Sequence, residues 1–136
     1  MRLREYAEKY YLQHRNCAES LLLAANDAYE LGLTERDIQM MKAFGGGMGA
    51  GGACGALTGA VAALSLLYST TKGAVENGLR TDAGQLVAEF EAALTHVDCR
   101  VLKPIYFDAR NRCLETVLRG ADVLEKHIAA LNGEIM

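Results

Sequence analysis

An all-α fold is predicted by three features of this sequence. Alanine, leucine and glutamate are abundant, only one proline occurs, and runs of β-branched residues are absent. Apolar residues recur three and four apart along most of the chain, the spacing of a helix with one buried face. The 136 residues are 51% hydrophobic, enough for one packed core. The expectation is a single helical domain over residues 1–136. It is a compact bundle of about five helices with a central glycine-rich helix.

In chain order, Leu3, Tyr6, Ala7, Tyr10 and Tyr11 form the first apolar stripe. Asn16-Cys17-Ala18-Glu19 then has the form of a capping box, with Asn16 as N-cap and Glu19 at the third helical position. A helix starting there carries Leu21, Ala24, Ala25, Ala28 and Leu31 and stops at Gly32. One uninterrupted helix from Leu3 to Leu31 is equally compatible with the spacing. Thr34 is the next N-cap, with Glu35 and Asp37 in the first turn, Ile38, Met41 and Phe44 facing inward, and Gly45 at the end.

No charged residue occurs between Lys42 and Lys72. Gly47 to Gly52 spells G-x-G-x-x-G, but a helix precedes it, and no acidic residue follows at the ribose-binding distance. The dinucleotide reading therefore fails on context. The segment is long enough to cross a bilayer. Its first half is mostly glycine, however, and Ala56–Tyr68 alone is too short, so a buried helix is expected and no stable membrane insertion. Cys54, Leu57, Val61, Leu64 and Tyr68 share one face of that helix. Gly47, Gly51, Gly55, Gly59 and Ala63 form a bare ridge, which lets another helix approach closely. Each helical glycine costs about 1 kcal/mol relative to alanine, and close approach of a helix or ligand supplies the compensation.

Tyr68–Asn77 reads as a polar connection containing Gly73, with Gly78 just after it. Thr81 reads as the N-cap of a helix bearing Ala83, Leu86, Val87, Phe90, Ala93, Leu94 and Val97. Asp98 caps a short turn beginning at Cys99, and Pro104 separates that turn from the last helix. There Cys113, Val117, Ala121, Leu124, Ile128 and Leu131 line one seam, and Asn132-Gly133 closes it.

The net charge is −3 and both signs are interspersed, with no basic stripe, so nucleic acid is not the expected partner. The N-terminus has no apolar signal-peptide core, which places the chain in the cytoplasm. Thiols are normally kept reduced there, so four cysteines point to redox chemistry, catalysis or metal binding rather than to structural disulfides. No C-x-x-C pair is present, so any site is assembled from distant segments. Cys17 and Cys99 each follow an expected N-cap and Cys54 lies near a helix start, where thiols are expected to have lowered pKa values. His14 and His96 each precede a cysteine by three residues and are secondary candidates as ligands. Arg100, Arg110 and Arg112 flank Cys99 and Cys113 and are candidates for stabilising thiolates.

The order Asn-Cys-Ala-Glu-Ser, Phe-Gly-Gly-Gly-Met-Gly, Cys-Gly-Ala-Leu-Thr-Gly, Asp-Cys-Arg-Val-Leu, then a last cysteine before an amphipathic helix, resembles the C_GCAxxG_C_C family. The resemblance covers almost the whole chain. It maps the signature cysteines onto Cys17, Cys54, Cys99 and Cys113, and the central motif onto Cys54, Gly55, Ala56 and Gly59. It implies a small prokaryotic redox-active protein, often encoded beside transporter genes. A similar domain in split-Soret cytochromes holds an iron–sulfur centre on cysteines, whereas this chain lacks the haem-binding motifs of those proteins.

Three readings follow. In the first, an oxidoreductase-like protein uses Cys17, Cys54, Cys99 and Cys113 for thiol–disulfide electron exchange with an unidentified donor or acceptor, and Cys54 is the activated thiol. In the second, the same four cysteines are ligands of a metal or of an iron–sulfur cluster of the 2Fe-2S type, with Gly55, Ala56 and Gly59 making room for it. In the third, the cysteines are packing residues of a non-catalytic bundle. A homodimer is compatible with a bundle this small, though no residue requires it.

Overall fold

Capping divides the first third of the chain into separate helices. In the computed structural model, which describes residues 1–72 and 76–131, with backbone only over 69–72 and 76–77, α1 spans Leu3–Leu12 and α2 spans Cys17–Tyr29. Asn16 is the reason they are two helices and not one. Its Oδ1 accepts from the Glu19 N–H at 2.7 Å, and its own N–H donates to Glu19 Oε1 at 3.0 Å, which closes the capping box. The Asn16 side-chain amide then donates to the carbonyls of Met41 and Lys42, at 3.2 and 3.0 Å. One side chain thus starts α2 and ties it to the chain that follows the next helix.

That next helix, α3, is shorter than the sequence suggests, covering Glu35–Gln39. Thr34 and Asp37 form its capping box, and Ile38 and Met41 are buried. The chain then tightens into a 3₁₀ turn over Lys42–Phe44, whose start Asn16 holds by those carbonyl bonds.

The glycine segment differs most from the expectation. Gly47–Gly51 forms a single π-turn with left-handed residues, not the first turns of a long helix. Gly47 has φ +64, and a Cβ there would meet the Gly52 backbone oxygen and lie 2.9 Å from Cys99 Cβ. The fold therefore needs glycine at this position for both conformation and space. Helix α4 begins only at Gly55 and runs to Lys72. The bare ridge contracts to Gly55 and Gly59, and it faces α2. A Cβ on Gly59 would lie 2.5 Å from the Ala18 carbonyl oxygen and 3.0 Å from Leu21 Cβ. The close approach is thus helix against helix.

Helix α5 spans Glu76–Leu94, so Gly78 and Thr81 lie inside it, and Thr81 is not a cap. A polar run such as residues 69–81 suits the solvent side of a helix as well as a loop, and this explains the difference. Gly73 lies outside the described residues, as does the Asn132-Gly133 ending. Pro104 lies within α6, Cys99–Tyr106, and does not terminate it. A tight hairpin separates α6 from α7, Leu114–Leu131. Asp108 and Arg112 exchange two backbone hydrogen bonds, at 3.1 and 2.7 Å.

The described residues thus contain seven α-helices and no strand, where about five helices were expected. The central helix α4 packs against α2, α5 and α7. Its buried residues Ala56, Leu57, Ala60, Ala63, Leu64, Leu67 and Tyr68 join Leu21, Phe90, Val117, Ala121 and Leu124 in one core. A polar tie joins α4, α5 and α7. The Tyr68 hydroxyl donates to buried Asp82 at 3.1 Å, His127 Nε2 lies 2.8 Å from the same carboxylate, and His127 Nδ1 lies 2.7 Å from Glu89. Among the described residues no helix is long and apolar enough to cross a membrane.

Candidate functional site

All four cysteines sit at the starts of helices. Cys17 is the first residue of α2 and Cys99 the first of α6. Cys54 directly precedes α4, and its carbonyl accepts from the amides of Leu57 and Thr58, both at 3.0 Å. Cys113 directly precedes α7, and its carbonyl accepts from the Val117 amide at 3.1 Å. Four helix starts, each carrying unpaired N–H groups, converge on one cavity of about 330 Å³. Cys17, Cys54, Cys99 and Cys113 all line it, with Gly55, Tyr11, Arg15, Lys103, Arg112 and Thr116 among the other wall residues.

Local chemistry explains how each thiol is placed. Cys54 N–H donates to the Val97 carbonyl at 2.8 Å, and Cys99 N–H donates to the Gly52 carbonyl at 2.7 Å. This two-bond bridge clamps the chain before α4 to the chain before α6. Arg100 adds a hydrogen bond from Nε to the Gly51 carbonyl at 3.1 Å. Cys113 is delivered by the Asp108–Arg112 hairpin, where Arg112 takes φ +56. The Cys113 N–H donates to the hydroxyl of Tyr11, which is buried and lies on α1 more than 100 positions earlier, at 2.9 Å. Cys17 and Cys113 line the same cavity, and each is the chief influence on the other's thiol.

The four thiols are electrostatically unequal. Cys113 is drawn down to about 6, first by the hydrogen bond it accepts from Cys17, then by Lys103, the Tyr11 hydroxyl and Arg112, which together outweigh its burial. Cys17 is pushed well above the ordinary thiol value, because it is the donor in that bond and because it is desolvated. Cys54 is pushed up to about 11 by burial. Hydrogen bonds from the Ala56 and Leu57 amides oppose this shift without overcoming it. Burial also raises Cys99. Helix starts therefore act in the expected direction at Cys54, but desolvation wins there, and the low-pKa thiol is Cys113.

The remaining sequence candidates separate by position. Gly55 lines the cavity. Ala56 instead packs against α7, where a Cβ on Gly120 would lie 3.0 Å from the Ala56 Cβ, and Gly59 packs against α2. His14 borders the cavity. His96 is not among its lining residues, and its Nδ1 accepts from the Asp98 N–H at 3.1 Å. Arg112 lies over the Tyr11 ring, 4.6 Å from the centroid, and Arg110 does not line the cavity. Tyr11 and Lys103 carried no functional signal in the sequence. Tyr11 counted as one more core residue on an apolar stripe, and Lys103 drew no reading at all.

Among the described residues, no three cysteine, histidine, aspartate or glutamate side chains are grouped as metal ligands. As arranged here, the four thiols are not drawn together as the ligands of one metal ion.

No curated protein and no solved structure matches the chain. One protein family does, over residues 15–127 of 136, under the description "Putative redox-active protein (C_GCAxxG_C_C)". The matched span holds all four cysteines and the Gly55–Gly59 stretch, and the protein belongs to the C_GCAxxG_C_C family.

Proposed function

We propose that the protein is a dithiol–disulfide redox protein in which Cys113 is the attacking thiolate and Cys17 the resolving thiol. The observation that carries this reading is the placement of Cys17 and Cys113 in one cavity, where each is the chief influence on the other's thiol. At neutral pH the pair holds one proton, with Cys113 as the thiolate. Thiolate is the nucleophilic form of cysteine.

The electron count is simple. Cys113 Sγ attacks one sulfur of a disulfide R–S–S–R′, a Cys113–S–R bond forms, and R′–S⁻ leaves and takes a proton from solvent. Cys17 was held protonated chiefly by the Cys113 thiolate. Once Cys113 is in a mixed disulfide that cause is gone, so Cys17 gives its proton to solvent and attacks Cys113 Sγ. R–S⁻ leaves, a Cys17–Cys113 disulfide remains, and two electrons have passed to the substrate. A dithiol reductant returns the pair to the starting state. Cys54 and Cys99, both raised by burial, stay protonated in this scheme and line the same cavity.

The test is thiol mapping. At pH 7, limiting iodoacetamide is expected to label Cys113 first, and mild oxidation is expected to give a Cys17–Cys113 disulfide by mass spectrometry. Four thiols that react slowly and form no internal disulfide would leave only a packing role. Brown protein with stoichiometric iron after anaerobic purification would favour the cluster reading instead.

A further inference from the structure

The wall of the thiol cavity also carries charge. Lys103 and Arg112 line it beside Cys113, and both are exposed. Neither makes an ion pair among the described residues. Arg112 lies over the Tyr11 ring, and Lys103 Nζ lies 5.2 Å from the Phe107 ring centroid. The one carboxylate in the wall, Glu19, is already engaged. It caps the Asn16 N–H at 3.0 Å and lies 3.5 Å from Arg15, which in turn lies 2.8 Å from Glu35. The cavity therefore offers two cations, neither with a carboxylate partner among the described residues, facing the single charge of its reactive sulfur. Its volume of about 330 Å³ lies at the small end of ligand pockets.

Resting on the exchange reading, we infer that the substrate is a small anionic disulfide, drawn in by Lys103 and Arg112 and reduced by Cys113 and Cys17. Its carboxylates replace water around the two cations while its S–S bond meets Cys113. Cys113 and Cys17 supply the two electrons, the substrate leaves as two thiols, and a dithiol reductant restores the protein. A protein disulfide is the competing substrate, and the concave placement of the sulfurs disfavours it.

The test uses the reduced full chain and three small disulfides. These are dithiodiglycolate with two carboxylates, bis(2-hydroxyethyl) disulfide with no charge, and cystamine with two ammonium groups. Each rate is divided by that of dithiothreitol with the same disulfide, which removes differences in intrinsic reactivity. At low salt the anionic-to-cationic ratio is expected to be at least about tenfold. It is expected to fall as salt is added. In Lys103→Gln/Arg112→Gln the ratio should approach one. Because it compares two substrates on one protein, it does not depend on how much Cys113 is ionised. A wild-type ratio near one, with the neutral disulfide still reduced, would overturn this inference and leave the exchange reading standing. So would reduction of a protein disulfide with all three small ones inert. If no disulfide of any kind is reduced, the exchange reading itself fails, and this inference with it.

Discussion

Cys17 and Cys113 line one cavity, and their coupling is the largest single influence on both thiols. It lowers one partner and raises the other, so the two sulfurs share a proton unevenly. Removing the donor exposes the effect. In Cys17→Ala the Cys113 thiolate, followed by its absorbance near 240 nm, is expected to titrate well above its native value of about 6, moving towards the ordinary thiol value of about 8.5. Absorbance is a better readout than alkylation rate, because a thiolate of higher pKa is also more nucleophilic and partly masks its own scarcity. An unchanged midpoint would show that Lys103 and Arg112, not Cys17, hold Cys113 down.

Tyr11 meets Cys113 in a second way. Its hydroxyl accepts from the Cys113 N–H at 2.9 Å and also lowers the Cys113 thiol. Burial pushes the phenol itself up to about 12, so it stays protonated and able to donate. Tyr11→Phe keeps the buried ring and removes only the oxygen. The expected cost is about 1–3 kcal/mol of stability, for the unsatisfied amide. Calorimetry should show that loss, and the Cys113 titration should move upward in the same variant. A variant with wild-type stability and titration would mean that solvent satisfies the amide.

Much of this architecture was legible in the residues, and the exceptions have physical causes. Capping residues act through bonds two or three positions away, so Asn16 and Thr34 were readable and both make the boxes they spell. The apolar seams were readable for the same reason of short range. The tight loop over Gly47–Gly51 was not, because a four-residue glycine spacing suits a helical ridge and a loop with left-handed residues alike. Cys113 was misplaced by one element. Its spacing continues the α7 seam, and nothing local signals that the Asp108–Arg112 hairpin holds it just outside the helix. The thiol order was the least readable feature. A helix start lowers a thiol pKa and burial raises it, and only the three-dimensional packing tells that Cys54 is buried to 4% exposure while Cys113 stays partly open.

Glycine substitutions separate packing from propensity. A Cβ at Gly59 would lie 2.5 Å from the Ala18 carbonyl oxygen, in the contact between α2 and α4, whereas a Cβ at Gly84 meets nothing within 4 Å. Gly59→Ala is therefore expected to destabilise by about 1–3 kcal/mol through overpacking, and Gly59→Leu by more. Gly84→Ala, at an exposed site inside α5, is expected to stabilise by about 0.5–1 kcal/mol. Thermal melts of the two alanine variants should move in opposite directions. If both rise, α2 and α4 have room to separate, and the close contact is not required.

The raised thiols make alkaline stability a property of this site. Cys54 reaches about 11 because its thiolate is poorly solvated in the folded chain, while in the unfolded chain it titrates near the ordinary value of about 8.5. Below that value both states are protonated, and Cys54 contributes nothing to the pH dependence. Between about 8.5 and about 11 the unfolded chain releases its proton and the folded chain does not, so stability falls as pH rises through this window. The loss attributable to Cys54 approaches about 3.5 kcal/mol, from roughly two and a half units at about 1.4 kcal/mol each. Cys113 acts with the opposite sign. Its folded value of about 6 lies below the unfolded one, so its contribution is present above about 8.5 and is lost as pH falls towards 6. Denaturant melts of the reduced protein should therefore show stability rising from pH 6 to about 8.5 and falling beyond it. Cys54→Ala should make the alkaline slope shallower, leaving the part due to Cys17 and Cys99, without changing the acidic side, whatever the substitution costs at neutral pH. An alkaline slope undiminished in Cys54→Ala would assign it wholly to Cys17 and Cys99, the other thiols raised in the folded chain.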